Sequence, residues 1–368
     1  MKALVAMSGG VDSSVAAALM LDAGYEVIGV TLKQWEEADG TLPVAGCCTV
    51  GDAEDARRVA AILDVPYYVL DYVDDFREAV VVPFGSAYGS GVTPNPCIEC
   101  NRTVRFNALL TRTEELGCDV LVTGHHARIR RDNSGYHLMR AVDQGKDQSY
   151  VLYMLGQKEL EKIHLPIGEM TKADVREIAA NLGLRIAVKP DSQDLCFVGS
   201  GDYREFLARE FPHATRPGPI VDVDGKVLGE HAGTAGFTIG QRRGIGISSS
   251  EPRYVIELRP AEATVVVGPR KDLSVAGCSV DQVSFVAGSL PADLNVEVKV
   301  RYRSVPATAR LAVTGSSQVD VHFAAFQVGI APGQAAVFYQ DDEVIGGGTI
   351  TSSFTAKNVL PGGVSVSS

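Results

Sequence analysis

The sequence predicts an α/β fold, in which a doubly wound parallel sheet is followed by two small mainly β domains. Short apolar runs alternate with amphipathic helical patterns over the first 200 residues, and this alternation is typical of a parallel sheet covered by helices. Beyond residue 200, Gly and Pro separate short β-branched runs, which is the pattern of small barrels or sandwiches. Because 368 residues exceed the size of an ordinary domain, we expect two or three domains.

The first 200 residues carry the alternating strands and helices. A Gly-rich turn follows the first strand and leads into the first helix, and Thr171 with Asp174 forms a capping-box pattern before the last helix. The predicted strands are Lys2–Met7, Glu26–Leu32, Pro66–Leu70 and Asp119–Thr123. The predicted helices are Asp12–Ala23, Asp52–Leu63, Arg102–Leu116 and Thr171–Leu182.

The rest of the chain is rich in predicted strands. These strands are Pro219–Val223, Thr264–Val267, Asn295–Val300, Thr308–Val313, Val319–Phe323 and Ala335–Tyr339. We therefore expect a catalytic domain over residues 1–200, a central β-rich domain over 201–275 and a C-terminal β-barrel domain over 276–357. We expect residues 358–368, which are mostly Gly, Ser and Val, to form a flexible tail.

The formal net charge of −11, taken alone, argues against a nucleic-acid partner. The distribution of this charge changes that conclusion, because residues 1–100 hold 5 Lys and Arg against 15 Asp and Glu. Residues 101–368 hold 29 basic and 30 acidic side chains and are therefore nearly neutral. The charge of the chain does not exclude RNA as a partner.

The N-terminus has the pattern of a buried strand rather than of a signal peptide, and no stretch reaches the roughly 18 apolar residues of a membrane span. We therefore expect a cytoplasmic location. The chain has 7 cysteines, an odd number that does not suggest a disulfide framework in such a chain. Cysteines of this kind are packing residues, metal ligands or reactive thiols.

The strongest motif is the segment Ser8–Ser14, SGGVDSS, which we call the phosphate loop. Its glycines let backbone N–H groups surround an anion, and the N-terminus of the following helix adds partial positive charge. The segment contains no Lys, which distinguishes it from the loop that binds a γ-phosphate in P-loop proteins. Asp12 would be poorly placed beside bare phosphates unless Mg²⁺ bridged them.

Two cysteines lie in polar loops and are candidates for reactive thiols. Cys100 follows the Pro-rich stretch that begins at Thr93, and we expect it at or near a helix N-terminus, which would lower the pKa of its thiol. Cys196 lies in the second polar loop, Asp191–Phe197. The remaining cysteines are interpreted as packing residues (Cys118 and Cys278) or have no assigned role (Cys47 and Cys48).

The phosphate loop resembles the PP-loop of the N-type ATP pyrophosphatases, which use ATP to adenylate a carbonyl or amide oxygen and release pyrophosphate. ATP together with two separated cysteines suggests sulfur transfer. Adenylation turns the carbonyl oxygen into a leaving group, a persulfide on one cysteine supplies sulfur to the carbon, and the second thiol resolves the S–S bond.

The chain as a whole is similar to the bacterial tRNA-uridine 2-sulfurtransferases, the tRNA-specific 2-thiouridylase family. The resemblance runs from Met1 to about Val359 and rests on motifs of distinctive sequence. Besides the phosphate loop, these motifs are TPNPCIECN from Thr93, TGHHAR (Thr123–Arg128), KDQSY (Lys146–Tyr150), SQDLCF (Ser192–Phe197), GFTIGQRRGIGI (Gly236–Ile247), RYR (Arg301–Arg303) and PGQAAVFY (Pro332–Tyr339).

The resemblance implies ATP-dependent 2-thiolation of the wobble uridine of tRNA, with Mg²⁺–ATP as co-substrate and AMP and pyrophosphate as products. It implies catalytic roles for Asp12, for Cys100 as the nucleophile and for Cys196 as the carrier of a persulfide. That sulfur would come from a sulfur-relay protein or a cysteine desulfurase. The implied ATP-binding residues are Ala6, Met7, Ser8, Gly9, Gly10, Val11, Asp12, Ser13, Leu32 and Gly124.

The family also implies which residues contact the tRNA, whose target base would leave the anticodon stack to reach the site. The implied tRNA-contacting residues are Asn95, Pro96, Cys97, His125, Lys146, Asp147, Gln148, Arg301, Tyr302 and Gln334. Without the resemblance, the Arg301–Arg303 segment would be interpreted as the solvated face of a strand. His125 and His126 are not interpreted as metal ligands, because adjacent side chains of an extended strand point in opposite directions.

Cys97 stands where the family often has an Asp that is proposed to assist proton transfer. Three interpretations of Cys97 remain open. It is a spectator that at most tunes Cys100, it is an alternative resolving thiol, or it joins Cys100 and Cys196 as a ligand of an iron–sulfur cluster.

Two other functions use the same sequence features. A PP-loop ligase or amidotransferase acting on a small molecule would need neither Cys100 nor Cys196. A non-catalytic RNA-binding protein that kept the fold would have no use for an intact phosphate loop or for both cysteines.

Overall fold

The computed structural model describes residues 1–36, 49–191, 195–198, 202–291 and 294–355, and these residues contain three sheets. Cys47, Cys48, the tail 358–368 and part of the SQDLCF motif lie outside the described residues. None of the described helices is both long enough and apolar enough to cross a membrane.

The first part of the chain alternates strands and helices, as predicted. Its elements to residue 115 are β1 Lys2–Ala6, α1 Val11–Asp22, β2 Glu26–Lys33, α2 Val50–Ile62, β3 Tyr67–Asp71, α3 Val73–Phe76, a π-helical turn Arg77–Val81, α4 Val82–Gly89, α5 Pro96–Glu99, a π-helical segment Cys100–Ala108 and α6 Leu109–Glu115. Its later elements are β4 Val120–Thr123, β5 Ala127–Asp132, β6 Gly135–Arg140, a 3₁₀ turn Ser149–Val151, α7 Gln157–Lys162, β7 Ile163–His164, α8 Lys172–Asn181, a 3₁₀ turn Arg185–Val188, α9 Tyr203–Glu210 and a 3₁₀ turn Pro212–Ala214.

The first sheet is parallel, with strand order β3-β2-β1-β4-β7. Its two faces are both buried, because Ala3 and Val5 of β1 pack into one apolar cluster and Leu4 packs into another. The strand order reverses direction between β1 and β4. Ligands of open α/β sheets bind at such a switch point, beyond the carboxyl ends of the strands. The phosphate loop after β1 and the TGHHAR motif at the end of β4 both lie there.

The helix predicted over Arg102–Leu116 begins earlier than expected, at Pro96. Asn95 is its N-cap and accepts a hydrogen bond from the Ile98 N–H, and Pro96 occupies the first helical position. Cys100 therefore lies a full turn after the helix start, near the helix N-terminus but not at it. Cys97 occupies the first turn instead.

The capping box predicted at Thr171 is confirmed. The Thr171 hydroxyl accepts a hydrogen bond from the Asp174 N–H, and the Asp174 carboxylate accepts one from the Thr171 N–H. The helix predicted from Asp52 begins at Val50 and has the same device, with Thr49 as N-cap and Asp52 as its partner. Both boxes use Asp at the third helical position, where its negative charge also suits the helix N-terminus.

The mainly β character of the rest of the chain is confirmed. A four-stranded sheet has the order β10-β11-β8-β9, formed by β8 Gly218–Asp222, β9 Val227–His231, β10 Tyr254–Arg259 and β11 Thr264–Gly268. The strands that follow are β12 Ser274–Phe285, β13 Asn295–Lys299, β14 Ala307–Gly315, β15 Gln318–Val328, β16 Ala335–Gln340 and β17 Glu343–Phe354. These six strands pair in the order β12-β15-β14-β13-β16-β17, and pairing of β12 with β17 closes them into a barrel.

A hairpin from the first 200 residues extends the sheet of this barrel, which the sequence did not predict. Strands β5 and β6 pair with each other, and Met139 and Leu138 of β6 pair with Glu343 and Val344 of β17. The side chain of His137 reinforces the junction, with Nδ1 2.7 Å from Glu343 Oε1 and Nε2 3.0 Å from Asp132 Oδ1.

The His137 contacts predict pH-dependent stability. The hydrogen bond to Glu343, partly opposed by burial and aided by Asp132, raises the pKa of His137. A raised folded-state pKa stabilises the protein fully below the unfolded-state pKa of about 6.5, and this stabilisation is lost as the pH rises through the raised value. We expect the melting temperature of the wild type to exceed that of His137→Gln at pH 6, and we expect this difference to decrease as the pH rises above the unfolded-state pKa of about 6.5. A difference in melting temperature that stayed constant with pH would contradict a stabilising role of protonated His137.

Candidate active site

The phosphate loop is held as an open cradle at the N-terminus of α1. Gly10 is the N-cap of the helix, and because glycine has no side chain it accepts no capping hydrogen bond from the first turn. The N–H groups of that turn therefore remain available to an anion. The Ser13 hydroxyl accepts a hydrogen bond from the Ser8 N–H at 3.1 Å, and the Ser14 hydroxyl donates to the Gly10 carbonyl at 2.9 Å. These bonds fix the curl of the loop, which has the geometry that binds phosphate.

Glycine is required at two positions that bring the loop into contact with its neighbours. Gly9 has φ +71°, and a Cβ there would lie 2.2 Å from the Asp52 carbonyl oxygen of α2. A Cβ at Gly124, just after β4, would lie 2.5 Å from the Ser13 nitrogen. Both glycines thus allow backbone to approach backbone on either side of the loop.

Asp12 lies in the first turn of α1 and is firmly held as a carboxylate. Its two oxygens lie 2.8 and 2.7 Å from Lys172 Nζ, and Oδ1 also lies 3.1 Å from His126 Nε2. Burial would raise the pKa of Asp12, but the hydrogen bonds from His126 and Lys172 outweigh it and lower the pKa below its usual value.

Lys172 connects Asp12 to a second carboxylate, and sequence reasoning missed it. Its ammonium also lies 2.8 Å from Asp191 Oδ1, and Lys146 Nζ lies 2.7 Å from the other Asp191 oxygen. Burial opposes ionisation of Asp191, but hydrogen bonds from Lys146 and Lys172 lower its pKa to about 2. A chain of charges therefore runs from the phosphate loop to the KDQSY motif.

Lys189 forms a second unpredicted contact with the loop. Its ammonium donates to the Gly9 carbonyl at 3.1 Å and lies 2.7 Å from both Asp52 Oδ1 and Asp55 Oδ2. This lysine thereby fixes the phosphate loop to the N-terminal turn of α2. The signal was present only as Lys189-Pro190 ahead of the second polar loop.

The remaining predicted nucleotide-pocket residues surround the same loop. Met7, Val11 and Leu32 are buried, and Ala6 is partly buried. They lie at or just beyond the carboxyl ends of β1 and β2, or in the first turn of α1. The pocket is therefore assembled from the sheet edge that the strand order marks as a binding site.

Cys100 lies at this same edge, although it belongs to a different element. It is buried, and the amide Nε2 of Gln34, which immediately follows β2, donates a hydrogen bond to its sulfur at 3.3 Å. Gln34 was not singled out in the sequence, since its relation to Cys100 exists only in the fold. The contact places the candidate nucleophile at the carboxyl end of β2, which pairs with β1, the strand that leads into the phosphate loop.

Cys196 is half-buried in a turn and packs against the apolar cluster that contains Cys100. The neighbouring Phe197 anchors it, because its ring lies edge-on to Phe84 at 5.1 Å and to Phe206 at 5.2 Å. The two candidate cysteines thus border one cluster. Cys118 belongs to the same large cluster but precedes β4 at its amino end, and Cys278 lies in the apolar cluster of the barrel. Burial raises the pKa of each of these thiols, that of Cys278 to about 12.

Among the described residues, no group of three or more His, Cys, Asp or Glu side chains is arranged to hold a metal ion. Cys97 is exposed while Cys100 is buried. Cys97, Cys100 and Cys196 therefore do not form a ligand set for an iron–sulfur cluster.

Of the predicted tRNA-contacting residues in this part of the chain, His125 and Asp147 are buried, while Lys146 and Gln148 are partly exposed. His125 is 6% exposed, with Nδ1 2.8 Å from Thr123 Oγ1 and Nε2 3.4 Å from Arg105 Nη1. Burial, with Arg105 and His126, lowers the pKa of His125 to about 3. Asp147 is also buried and accepts bonds from the N–H groups of Ala141 and Ser149. Gln148 accepts from the His126 N–H.

Gln334, on the barrel side, supports the loop that carries Asn95, Pro96 and Cys97. Its amide donates to the Thr93 carbonyl at 2.8 Å, and the Thr93 N–H donates to the Pro332 carbonyl at 2.9 Å. The C-terminal barrel therefore positions the helix start that precedes Cys100.

The RYR motif lies in a turn after β13, not on a strand as its solvated-face interpretation assumed. Arg301 donates to the Ile239 carbonyl at 3.0 Å, which ties the motif to GFTIGQRRGIGI. Tyr302 is 41% exposed, and Lys299 Nζ lies 5.6 Å from its ring centroid. An accessible aromatic ring with a cation beside it suits stacking on a nucleic-acid base.

The fold and the site together define an ATP-pyrophosphatase-like enzyme of the PP-loop class. Three family models match the chain: the tRNA methyl transferase HUP domain over residues 1–200, the tRNA methyl transferase PRC-barrel domain over 204–269 and the aminomethyltransferase beta-barrel domain over 275–350.

Curated relatives match along nearly the whole chain. A tRNA-specific 2-thiouridylase MnmA of Roseiflexus sp. (strain RS-1) is 48% identical, over 95% of this chain and 99% of the relative. Proteins of the same name from Chloroflexus aurantiacus (strain ATCC 29366 / DSM 635 / J-10-fl) and Heliobacterium modesticaldum are 48% and 46% identical, over 94% and 96% of this chain and 97% and 93% of theirs. The chain belongs to the tRNA-specific 2-thiouridylase family.

Proposed function

We propose that this enzyme catalyses ATP-dependent 2-thiolation of the wobble uridine of tRNA. The observation that carries the proposal is that the phosphate loop and a candidate nucleophilic thiol lie at the same edge of the sheet. The phosphate loop follows β1, and Cys100 is hydrogen-bonded to Gln34 at the end of β2. Membership of the 2-thiouridylase family over nearly the full chain supports the tRNA substrate. We also propose that the domain divisions near residues 200 and 275 separate the catalytic unit from its two β modules.

The first step is adenylation. The uridine O2 forms a bond to the α-phosphorus of ATP, the bond to the pyrophosphate leaving group breaks, and the uridine N3 proton is lost to solvent. The phosphate loop binds the triphosphate through backbone N–H groups and the Ser8 and Ser13 hydroxyls. Asp12, whose side chain is 29% exposed, is the carboxylate that would face the Mg²⁺ of the Mg²⁺–ATP substrate.

The second step is sulfur transfer. Cys196 carries a persulfide received from a sulfur-relay protein or a cysteine desulfurase. Its terminal sulfur reaches C2 of the activated base and AMP leaves with the former carbonyl oxygen. Cys100 attacks the Cys196 sulfur, breaking the persulfide S–S bond and forming a Cys100–Cys196 disulfide that an external thiol later reduces. In the alternative order Cys100 first releases hydrosulfide, which then attacks C2; both orders give the same products.

We propose that tRNA approaches between the catalytic unit and the barrel. Lys146 of the catalytic unit and Tyr302 of the barrel are close enough to interact electrostatically, and Gln334 positions the Asn95–Cys97 stretch that would meet the target base. The exposure of Cys97 supports a role as a spectator or as an alternative resolving thiol, and no step is assigned to an iron–sulfur cluster. A ligase for a small molecule would not need a barrel that holds the cysteine loop.

The proposal is tested with an unmodified tRNA transcript that has uridine at the wobble position. Incubated with enzyme, ATP, Mg²⁺ and a persulfide donor, this tRNA should gain 2-thiouridine, while a transcript with cytidine at that position should not. Pyrophosphate release that is equally fast without any tRNA would instead favour an adenylating enzyme for a small molecule.

A further inference from the structure

The phosphate loop contains no cation, yet its ligand is strongly anionic. The segment Ser8–Ser14 has no Lys or Arg, in contrast to phosphate loops that end in a lysine. The fold supplies a lysine from elsewhere: Lys172 is 160 residues from Asp12 in sequence, and its ammonium lies 2.7 and 2.8 Å from the two Asp12 oxygens.

The position of Lys172 is unfavourable for a lysine that only stabilises the fold. It is 8% exposed, and burying an ammonium group is costly even when it is paired. It is also the first residue of α8, where the helix dipole disfavours positive charge. A buried cation in such a place, beside the only acidic residue of the phosphate loop, points to a function.

We propose that Lys172 is the phosphate-binding cation of the active site, and that it moves its contact from Asp12 to the triphosphate when Mg²⁺–ATP binds. The structure shows the Lys172 ammonium against the Asp12 carboxylate, and the proposal is that phosphate oxygens replace this carboxylate. The exchange frees Asp12 to face the Mg²⁺ of the substrate. This inference rests on the proposed adenylation.

The surroundings of Lys172 suit such an exchange. Asp191 lies 2.8 Å from the ammonium on its other side and keeps a carboxylate partner for Lys172 throughout. Asp191 is itself paired with Lys146 at 2.7 Å and with Arg176 at 3.4 Å, so it stays compensated when Lys172 turns toward phosphate. His126, 3.1 Å from Asp12, likewise remains as a partner of that carboxylate.

In the proposed reaction Lys172 acts through the charge of its ammonium group and transfers no proton. The bond between the uridine O2 and the α-phosphorus forms while the bond between that phosphorus and the pyrophosphate oxygen breaks. Negative charge grows on the departing pyrophosphate, and a fixed ammonium beside the phosphates stabilises it more than it stabilises the ground state.

The test compares binding of a non-hydrolysable ATP analogue and of adenosine by calorimetry, with Mg²⁺ and without tRNA. We expect Lys172→Met to weaken binding of the analogue about 10- to 100-fold, the range for a hydrogen bond to a charged group, and to change adenosine binding less than about twofold. Lys172→Gln, which keeps a polar group, is the second variant in case the methionine variant does not fold. Lys162→Met is the matched control: it removes the ammonium of another paired lysine, which contacts Glu114 and precedes β7 at the edge of the sheet opposite the phosphate loop, and it should leave both affinities unchanged.

Lys172 variants that bind the analogue as tightly as the wild type would overturn the proposal. Equal weakening for analogue and adenosine would also overturn it, since it would indicate a structural role. This readout is separate from the proposed function, which is decided by whether the wild type thiolates tRNA.

Discussion

Cys100→Ser and Cys196→Ser each reduce the formation of 2-thiouridine in tRNA by at least about 10³-fold, the scale on which enzymes lose rate when a nucleophile is removed. The physical reason is that a serine hydroxyl neither carries a persulfide nor breaks an S–S bond. Adenylation uses the phosphate loop and not the thiols, so a first turnover of tRNA-dependent pyrophosphate release should survive in both variants. Thiolation is measured by nucleoside mass spectrometry and pyrophosphate by a coupled assay.

Cys118→Ser is the matched control for these two variants. Cys118 is also a buried cysteine of the first 200 residues, but it precedes β4 at the end remote from the phosphate loop, and burial raises the pKa of its thiol. Its serine variant should keep thiolation near the wild-type rate. Wild-type rates in both Cys100→Ser and Cys196→Ser would refute the roles assigned to the two cysteines.

Gly9→Ala is expected to abolish tight ATP binding. Its φ of +71° is strained for alanine by roughly 1–2 kcal/mol, and the new Cβ would lie 2.2 Å from the Asp52 carbonyl oxygen. Backbone atoms cannot rotate away as a side chain can, so the phosphate loop must shift at a further cost of about 1–3 kcal/mol. We expect at least a tenfold weaker affinity for ATP and a lower melting temperature.

Gly24→Ala separates the two causes of this effect. Gly24 has φ +82°, but nothing lies within 4 Å of a Cβ built there, and it follows α1 at the end far from the loop. Its alanine variant should lower the melting temperature slightly and leave ATP binding intact. If Gly9→Ala behaved like Gly24→Ala, the close packing of the phosphate loop on α2 would not be needed for nucleotide binding.

The sequence predicted the elements whose signal is local. The apolar runs of β1, β2 and β4 are strands, and the capping residues Thr171 and Asp174 begin α8, because period and capping are properties of neighbouring residues. The helix containing Cys100 was predicted to begin at Arg102, too late, because Asn95-Pro96 was interpreted as part of the Pro-rich stretch that begins at Thr93. The same pair is a good helix start, with Asn as cap and Pro in the first turn.

The site residues that sequence reasoning missed depend on contacts between distant segments. Lys172 reaches Asp12 across 160 residues, Lys189 reaches Gly9 across 180 and Gln34 reaches Cys100 across 66. No local pattern distinguishes these side chains from other lysines or glutamines. The pairing of β6 with β17 was missed for the same reason, since both strands satisfy ordinary hairpin patterns by themselves.

The most direct test measures the sulfur and nucleotide products together in one reaction. The purified chain is incubated with unmodified tRNA containing a wobble uridine, with Mg²⁺–ATP and with a donor that loads persulfide on Cys196. We predict that 2-thiouridine appears at the wobble position with one AMP and one pyrophosphate released for each sulfur incorporated. ATP cleavage without sulfur in the tRNA, by enzyme that carries the Cys196 persulfide, would contradict the proposed function.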